Sequence, residues 1–271
     1  MKKLRIILIV LFTLVLALFA AGQVYLRTRI DRVAPVLKCE TPTLDVSVNS
    51  DEKDLLQGVS ATDDRDGNLT DRIMVASVSR LVSADTAIVT YLVSDDSDNM
   101  ASCTRYLHYT DYRSPTFQLN RALIYELGEP IPLTDRLKAF DVLDGDITSA
   151  LRIGTMDALS NMPGTYDITV QVTNRLGDIS SITLPLTLRL PQEGYAEVRL
   201  AEYLIYLNSG SRFDPQQYLV GVYNGKQPLS TSDITITSDV DLQTPGCYRV
   251  TYSYVSPSGL TGSAYLTVVV E

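Results

Sequence analysis

The chain has 271 residues, 45% of them hydrophobic and 20% charged, enough apolar side chains for a sizeable core and nothing that resembles a disordered tract. Six basic residues (Lys2, Lys3, Arg5, Arg27, Arg29, Arg32) crowd the first 32 positions, where Asp31 is the only acid, so that from residue 33 onward 17 basic face 31 acidic residues, a net of −14. An acidic body of that kind repels phosphate backbones, which argues against nucleic acid as a partner and leaves cations or basic surfaces.

After Met1-Lys2-Lys3-Leu4-Arg5 comes an apolar run from Ile6 to Leu26, interrupted only by Thr13, Gln23 and Tyr25. As a helix it would measure about 31 Å, the thickness of a bilayer core. A cleaved secretory signal is the competing reading, because the basic tip resembles an n-region and Ala20-Ala21-Gly22 offers small residues for cleavage. The run is longer than a usual h-region and Arg27 and Arg29 follow at once, which favours an uncleaved anchor. The basic N-terminus then stays in the cytoplasm and the bulk of the chain lies outside. If the signal is cleaved, the remainder is secreted.

Three segments downstream repeat one another. Gly58 to Ile73, Leu137 to Thr148 and, more loosely, Val220 to Leu229 each begin as a strand and end in a glycine turn. Each is followed by an alternating strand (Ala87 to Ser94, Gly164 to Thr173, Gly246 to Val255), a polar turn and a closing strand (Ala101 to Tyr109, Ile179 to Leu190, Thr261 to Val270). Period two with β-branched and aromatic residues predicts half-buried strands, and two of them across a short turn make a hairpin. Recurrence at about 80 residues is the size of a whole domain, and short strands with regular turns predict β-sandwiches. The expected organisation is an anchor over 1–32 and modules over 33–111, 112–191 and 192–271.

Three cysteines are too few for a disulfide scaffold, and no C-x-x-C pair points to zinc or dithiol chemistry. Cys39 lies near the start of the first module and Cys103 near its end, where the first and last strands of a sandwich often run side by side. A disulfide there needs an oxidising compartment, and the alternative is two buried thiols. Cys247 has no partner in its own module.

The sequence Ala-Thr-Asp-Asp-Arg-Asp-Gly-Asn-Leu-Thr at 61–70, with Thr-Tyr-Leu-Val-Ser-Asp-Asp-Ser-Asp-Asn-Met-Ala at 90–101 and Arg-Tyr-Leu at 105–107, resembles bacterial Ig-like domains of the insecticidal-crystal-protein type. Pro163-Gly164-Thr165-Tyr166 carries the resemblance into the second module, and Pro245-Gly246-Cys247-Tyr248 into the third, which lacks the acidic turn. The resemblance covers about residues 33 to 271 and implies an all-β fold: three tandem immunoglobulin-like β-sandwich domains, preceded by one transmembrane helix. It implies a surface location, and members serve adhesive, spacer and carbohydrate-associated roles that fold alone does not transfer.

Asp63, Asp64, Asp66, Asn68 and Asp71 have a spacing superficially like a calcium loop, and Asp95, Asp96 and Asp98 sit on another turn of the same module. Calcium needs six to eight oxygens, which two converging acidic turns would supply. The weak calcium candidates are Asp63, Asp64, Asp66, Asn68 and Asp98. Against them stands the ordinary role of Asp-Gly in tight turns, and what persists through all three repeats is the glycine, not the charge. No other cofactor is expected.

His108 is the only histidine, set in a closing strand, so any catalytic triad has a single available base. Phosphate-loop, dinucleotide and HExxH motifs are absent from the sequence. Tyr203, Tyr206, Tyr218 and Tyr223 concentrate in the first half of the third module, either as an exposed sugar- or protein-binding patch or as strand-face packing. The reading is a non-catalytic, single-pass surface protein of the cell membrane, whose Ig-like modules serve as a spacer, adhesion or protein-binding surface for an extracellular protein or glycan. A carbohydrate-binding accessory module and an anchor subunit for a separate enzyme are the alternatives. Three such modules in series would reach about 100 Å.

Overall fold

The computed structural model describes residues 2–29, 31–156, 162–191 and 194–271. It opens with helix α1, Lys2–Arg29, within which Lys3–Tyr25 has a mean hydropathy of 2.8 and no buried residue. That stretch of 23 residues is long and apolar enough to cross a membrane, and an N-terminal signal sequence has the same character.

The chain divides into two compact units, residues 1–111, which include α1, and residues 112–271. The first contains β1 (Val36–Cys39), β2 (Thr43–Val46), a one-turn helix α2 (Glu52–Leu55), β3 (Val59–Asp63), β4 (Gly67–Asn68), β5 (Met74–Val78), β6 (Thr86–Ser94) and β7 (Met100–Tyr109). They form a three-stranded sheet, β1-β3-β4, and a four-stranded sheet, β2-β7-β6-β5. Burial alternates strictly along β6, so Ala87, Val89, Tyr91 and Val93 face inward to meet Val59, Ala61, Leu69 and Leu107. Strand β2 runs parallel to β7, from Thr43 beside Tyr106 to Val46 beside Tyr109. This lets the chain enter one sheet at β1 and cross to the other within a few residues.

A buried arginine completes this core. Arg105 is 3% exposed; its Nε donates to the Tyr91 hydroxyl at 2.9 Å and its Nη2 to the carbonyls of Leu55 and Gln57. Tyr91 in turn donates to the Leu55 carbonyl. A buried charge is tolerated when its donors are used, and here they bind the α2 connection to the sheet.

The second unit repeats the plan twice. Strands β8 (Thr116–Leu119), β9 (Leu123–Glu126), β10 (Leu137–Asp141), β11 (Gly145–Asp146), β12 (Arg152–Met156), β13 (Gly164–Thr173) and β14 (Ile179–Arg189) give sheets β11-β10-β8 and β12-β13-β14-β9. Strands β15 (Glu197–Leu200), β16 (Leu204–Leu207), β17 (Leu219–Asn224), β18 (Gln227–Leu229), β19 (Ile234–Ser238), β20 (Gly246–Val255) and β21 (Thr261–Val270) give β15-β17-β18 and β16-β21-β20-β19. In each repeat the second strand joins the last in parallel, β9 with β14 and β16 with β21.

Within the second unit the two four-stranded sheets meet on their outer faces. Thr165 bonds Tyr265 through their hydroxyls at 3.0 Å, Arg249 pairs with Asp167, and the Cys247 thiol donates to the Thr183 carbonyl. Strand β14 is therefore buried on both faces from Leu184 to Leu188. Leu204 and Tyr206 of β16 also pack on the core formed by β8 to β14. An end-to-end series, as the reach of about 100 Å assumes, does not describe residues 112–271, because these outer strand faces are small and polar enough to pair.

Candidate functional site

The repeated turns set the geometry of the site. Each first hairpin turns at a glycine in the left-handed region, Gly67 at φ 76°, Gly145 at 69° and Gly225 at 60°. An added Cβ at any of the three would meet no neighbouring atom, so the glycine serves backbone conformation rather than space. The second turn also recurs: the side chains of Asp95, Asn174 and Ser256 each accept from the amide four residues on, that of Asn99, Asp178 and Leu260. One fold position thus carries a carboxylate, an amide and a hydroxyl in succession.

In the first unit the two turns converge on a third acid. Asp31, Asp63 and Asp95 each place a carboxylate oxygen within 4.8 Å of the others. Asp31 and Asp95 are 5% and 4% exposed. Asp63 Oδ1 accepts from the amides of Arg65 and Asp66, which shapes its turn, and Asp31 Oδ1 accepts from the Val33 amide. The second oxygens of Asp31 and Asp63 are buried with no hydrogen-bond donor among the described residues. Arg65 Nε lies 3.4 Å from Asp31 Oδ2 at the exposed rim. Desolvation pushes the Asp95 carboxyl up, but hydrogen bonds from the Asn99 side chain and from the Asn99 and Ser97 amides hold it below its ordinary value.

The calcium candidates do not gather into one site. Asp63 alone among them belongs to the cluster. Asp64 and Asp98 are exposed, and Asp98 takes the left-handed position (φ 64°) that Gly177 and Gly259 fill in the other repeats. Asp66 accepts from the Asp96 amide and Asn68 from that of Thr70, so both oxygens hold turns. Asp31 and Asp95 complete the cluster instead. The spacing of Asp31 ahead of Pro35, repeated by Asp111 ahead of Pro115, was the available signal for Asp31.

In the second unit the same turns close differently. Asn174 Nδ2 donates to Asp141 Oδ2 at 3.0 Å and to the Tyr112 hydroxyl at 2.8 Å, and Tyr112 donates to Asp178. Burial first, and then its bond to Asp178, raises the Tyr112 phenol far above its ordinary range.

Tyr203, Tyr206, Tyr218 and Tyr223 are each half-buried, and Tyr252 and Tyr254 are buried. Tyr203 and Tyr206 pack on the core of the second repeat, Tyr218 packs on the core of the third beside Phe213, and Tyr223 lies beneath the Arg199 guanidinium. A cleft of about 720 Å³ nearby is lined by Arg121, Arg136, Arg189 and Arg199. Arg136 is taken up by the carbonyls of Ala122 and Ile124, Arg199 by Glu197, and Arg189 by stacking on Tyr195. His108 faces Asp45 at 2.8 Å and Asp85 at 3.4 Å, carboxylates on both nitrogens. Cys39 of β1 and Cys103 of β7 are joined as a disulfide, and Cys247 is free and exposed.

Against this geometry, residues 201–270 match the family model described as bacterial surface protein, Ig-like domain. Over that stretch the chain is similar to bacterial surface Ig-like domains. Over 123 residues it is also 32% identical to the pesticidal crystal protein Cry22Aa of Bacillus thuringiensis, a match covering 43% of this chain and 16% of that protein. The chain therefore spans about a sixth of that relative's length. Among solved structures, the CBM51-2 in complex with GlcNAc and INT domains from Clostridium perfringens ZmpB aligns at 18% identity and a TM-score of 0.24, covering 55% of this chain and 26% of that one. The lipoprotein BT2262 from Bacteroides thetaiotaomicron aligns at 15% and 0.23, covering 56% and 98%. Mouse cadherin-23 EC22-24 aligns at 13% and 0.22, covering 89% and 99%. Likenesses at these scores bear on neither ligand nor activity of the Ig-like domains here.

Proposed function

We propose that this chain is a non-catalytic surface protein, held in the cell membrane by α1 with its N-terminus in the cytoplasm, whose three Ig-like modules (33–111, 112–191 and 192–271) act outside as a spacer and protein-binding surface. The observation that carries the reading is the apolar stretch Lys3–Tyr25 directly ahead of Ig-like sheets. A helix of that length and hydropathy is stable in a bilayer, while each sandwich spends its polar groups on its own ladders and turns.

Protein binding is favoured at the third module by its sheet edge. Strands β5 and β12 are the corresponding edges of the other four-stranded sheets, and both are broken by register shifts. Strand β19 pairs without interruption from Ile234 to Ser238 and leaves its far edge for another strand. Bulges blunt an edge, and a straight edge offers main-chain donors and acceptors to an incoming chain.

The test is to fractionate cells producing the chain and weigh the mature protein. Anchoring requires an alkali-resistant membrane species that still contains residues 2–29 and is digested by external protease. A soluble species beginning beyond Gly22 would show a cleaved signal instead.

A further inference from the structure

We propose that Asp31, Asp63 and Asp95 form a binding site for a hard divalent cation, with calcium the ion whose chemistry they fit. The inference goes beyond the anchoring and spacer reading, and it stands if that reading fails.

Three observations carry it. First, one oxygen from each acid lies within 4.8 Å of the others, a spread that a single ion at a calcium–oxygen distance of about 2.4 Å can bridge. Second, Asp31 is 5% exposed, and among the described residues neither its Oδ2 nor that of Asp63, both buried, has a hydrogen-bond donor. Leaving buried carboxylate oxygens without donors is costly unless a cation completes them. Arg65, 44% exposed, approaches Asp31 Oδ2 at 3.4 Å from the rim, and Arg72, 50% exposed and paired with Asp96, acts on Asp95 from farther off, so the counter-charges at the cluster are solvent-accessible ones.

Third, the chain contains its own control. In the second repeat Asp141 holds the place of Asp63, Asn174 the place of Asp95, and Leu143 the place of Arg65. There the Asn174 amide supplies the donor that Asp141 Oδ2 requires, and the Tyr112 hydroxyl closes the network. Asp141 and Asp178 are bridged there by neutral donors, Asn174 and Tyr112, and are satisfied by hydrogen bonds. In the first repeat Asp95 is held by Ser97 and Asn99, while Asp31 Oδ2 and Asp63 Oδ2 have no such donor among the described residues, and charge repulsion among the three carboxylates calls for a cation.

The donor set is oxygen only, which suits calcium or magnesium over softer metals. Three carboxylates from separate segments give an irregular cage, and calcium accepts irregular coordination completed by carbonyls and water where magnesium demands an octahedron. Because Asp31 lies two residues past the end of α1, an ion here ties the exit of the helix to both turns of the first sandwich.

The test uses the full chain in detergent micelles, with calcium added against a chelator, read by titration calorimetry and thermal unfolding. One ion per chain should bind, with a dissociation constant between about 10⁻⁵ and 10⁻³ M, and raise the unfolding temperature. Asp31→Asn and Asp63→Asn should each weaken binding by at least about tenfold, whereas Asp64→Asn, outside the cluster, leaves it unchanged. Arg65→Gln should tighten binding by removing the competing charge. Asp31→Asn preserves shape, so it remains informative if Asp63→Asn fails to fold. Absence of heat and of any shift at millimolar calcium overturns the site, and so does an Asp31→Asn chain that binds like the parent.

Discussion

The Phe117 amide donates to the Tyr206 hydroxyl at 2.9 Å, a bond from β8 of the second repeat to β16 of the third. Burial, the larger effect, raises the Tyr206 phenol, while the bond from Phe117 works the other way. The hydroxyl thus serves as an acceptor between the two repeats. Tyr206→Phe should leave the Phe117 amide without its partner and cost about 1–3 kcal/mol of the second unit's stability. Denaturant unfolding of the variant checks this, and an unchanged midpoint would show that the bond contributes nothing.

Gly262 sits where the third repeat's closing strand passes Ala196. The Ala196 amide donates to the Thr261 carbonyl at 2.8 Å, and a Cβ on residue 262 would overlap the Ala196 carbonyl oxygen. Since that neighbour is backbone, it cannot swing aside. Gly262→Ala should therefore destabilise the second unit by about 1–3 kcal/mol, while Gly22→Ala in α1, where a Cβ meets nothing, should leave unfolding of the sandwiches unchanged. Equal midpoints for the two variants would remove the steric argument.

His108 provides a pH-dependent contact in the first unit. Its bond to Asp45 raises the imidazole pKa above the ordinary 6.5, desolvation opposes this, and Asp85 adds to it. A raised folded-state pKa means the charged form is favoured by folding, so its contribution is full below the unfolded value of 6.5 and fades as pH rises through the folded value. The pair is solvent-accessible and the gain is correspondingly small. Comparing unfolding midpoints of the parent and His108→Gln from mildly acid to alkaline pH should show a gap that closes as pH rises; a gap independent of pH counts against the linkage.

A disulfide between Cys39 and Cys103 leaves Cys247 as the single thiol. Thiol titration of the oxidised chain, unfolded without reductant, should count one group, rising to all three cysteines after reduction. The bridge closes a loop of 64 residues, and its removal should cost about 2–5 kcal/mol. Three reactive thiols before reduction would mean that the bridge does not form.

Much of this fold is legible in sequence because strands and turns are local. Alternation along Ala87 to Ser94 fixed which side chains face inward, and the structure buries Ala87, Val89, Tyr91 and Val93. The recurring glycines marked the left-handed turns, since few other residues reach that backbone region without strain. The apolar run from Ile6 to Leu26 marked the body of α1, which extends past it at both ends. What sequence spacing could not give is which distant groups meet. The spacing drew attention to Asp64, Asp66 and Asp98 because they are neighbours in the chain, yet alternate residues of a turn point apart, and Asp31 joins Asp63 and Asp95 only once the strands have paired. The parallel docking of β2 on β7, the outer-face contact between Thr165 and Tyr265, and the half-burial of Tyr203, Tyr206, Tyr218 and Tyr223 are likewise products of long-range packing. Local pattern sets which face of a strand is apolar; tertiary contact alone decides what that face, and the polar one behind it, will touch.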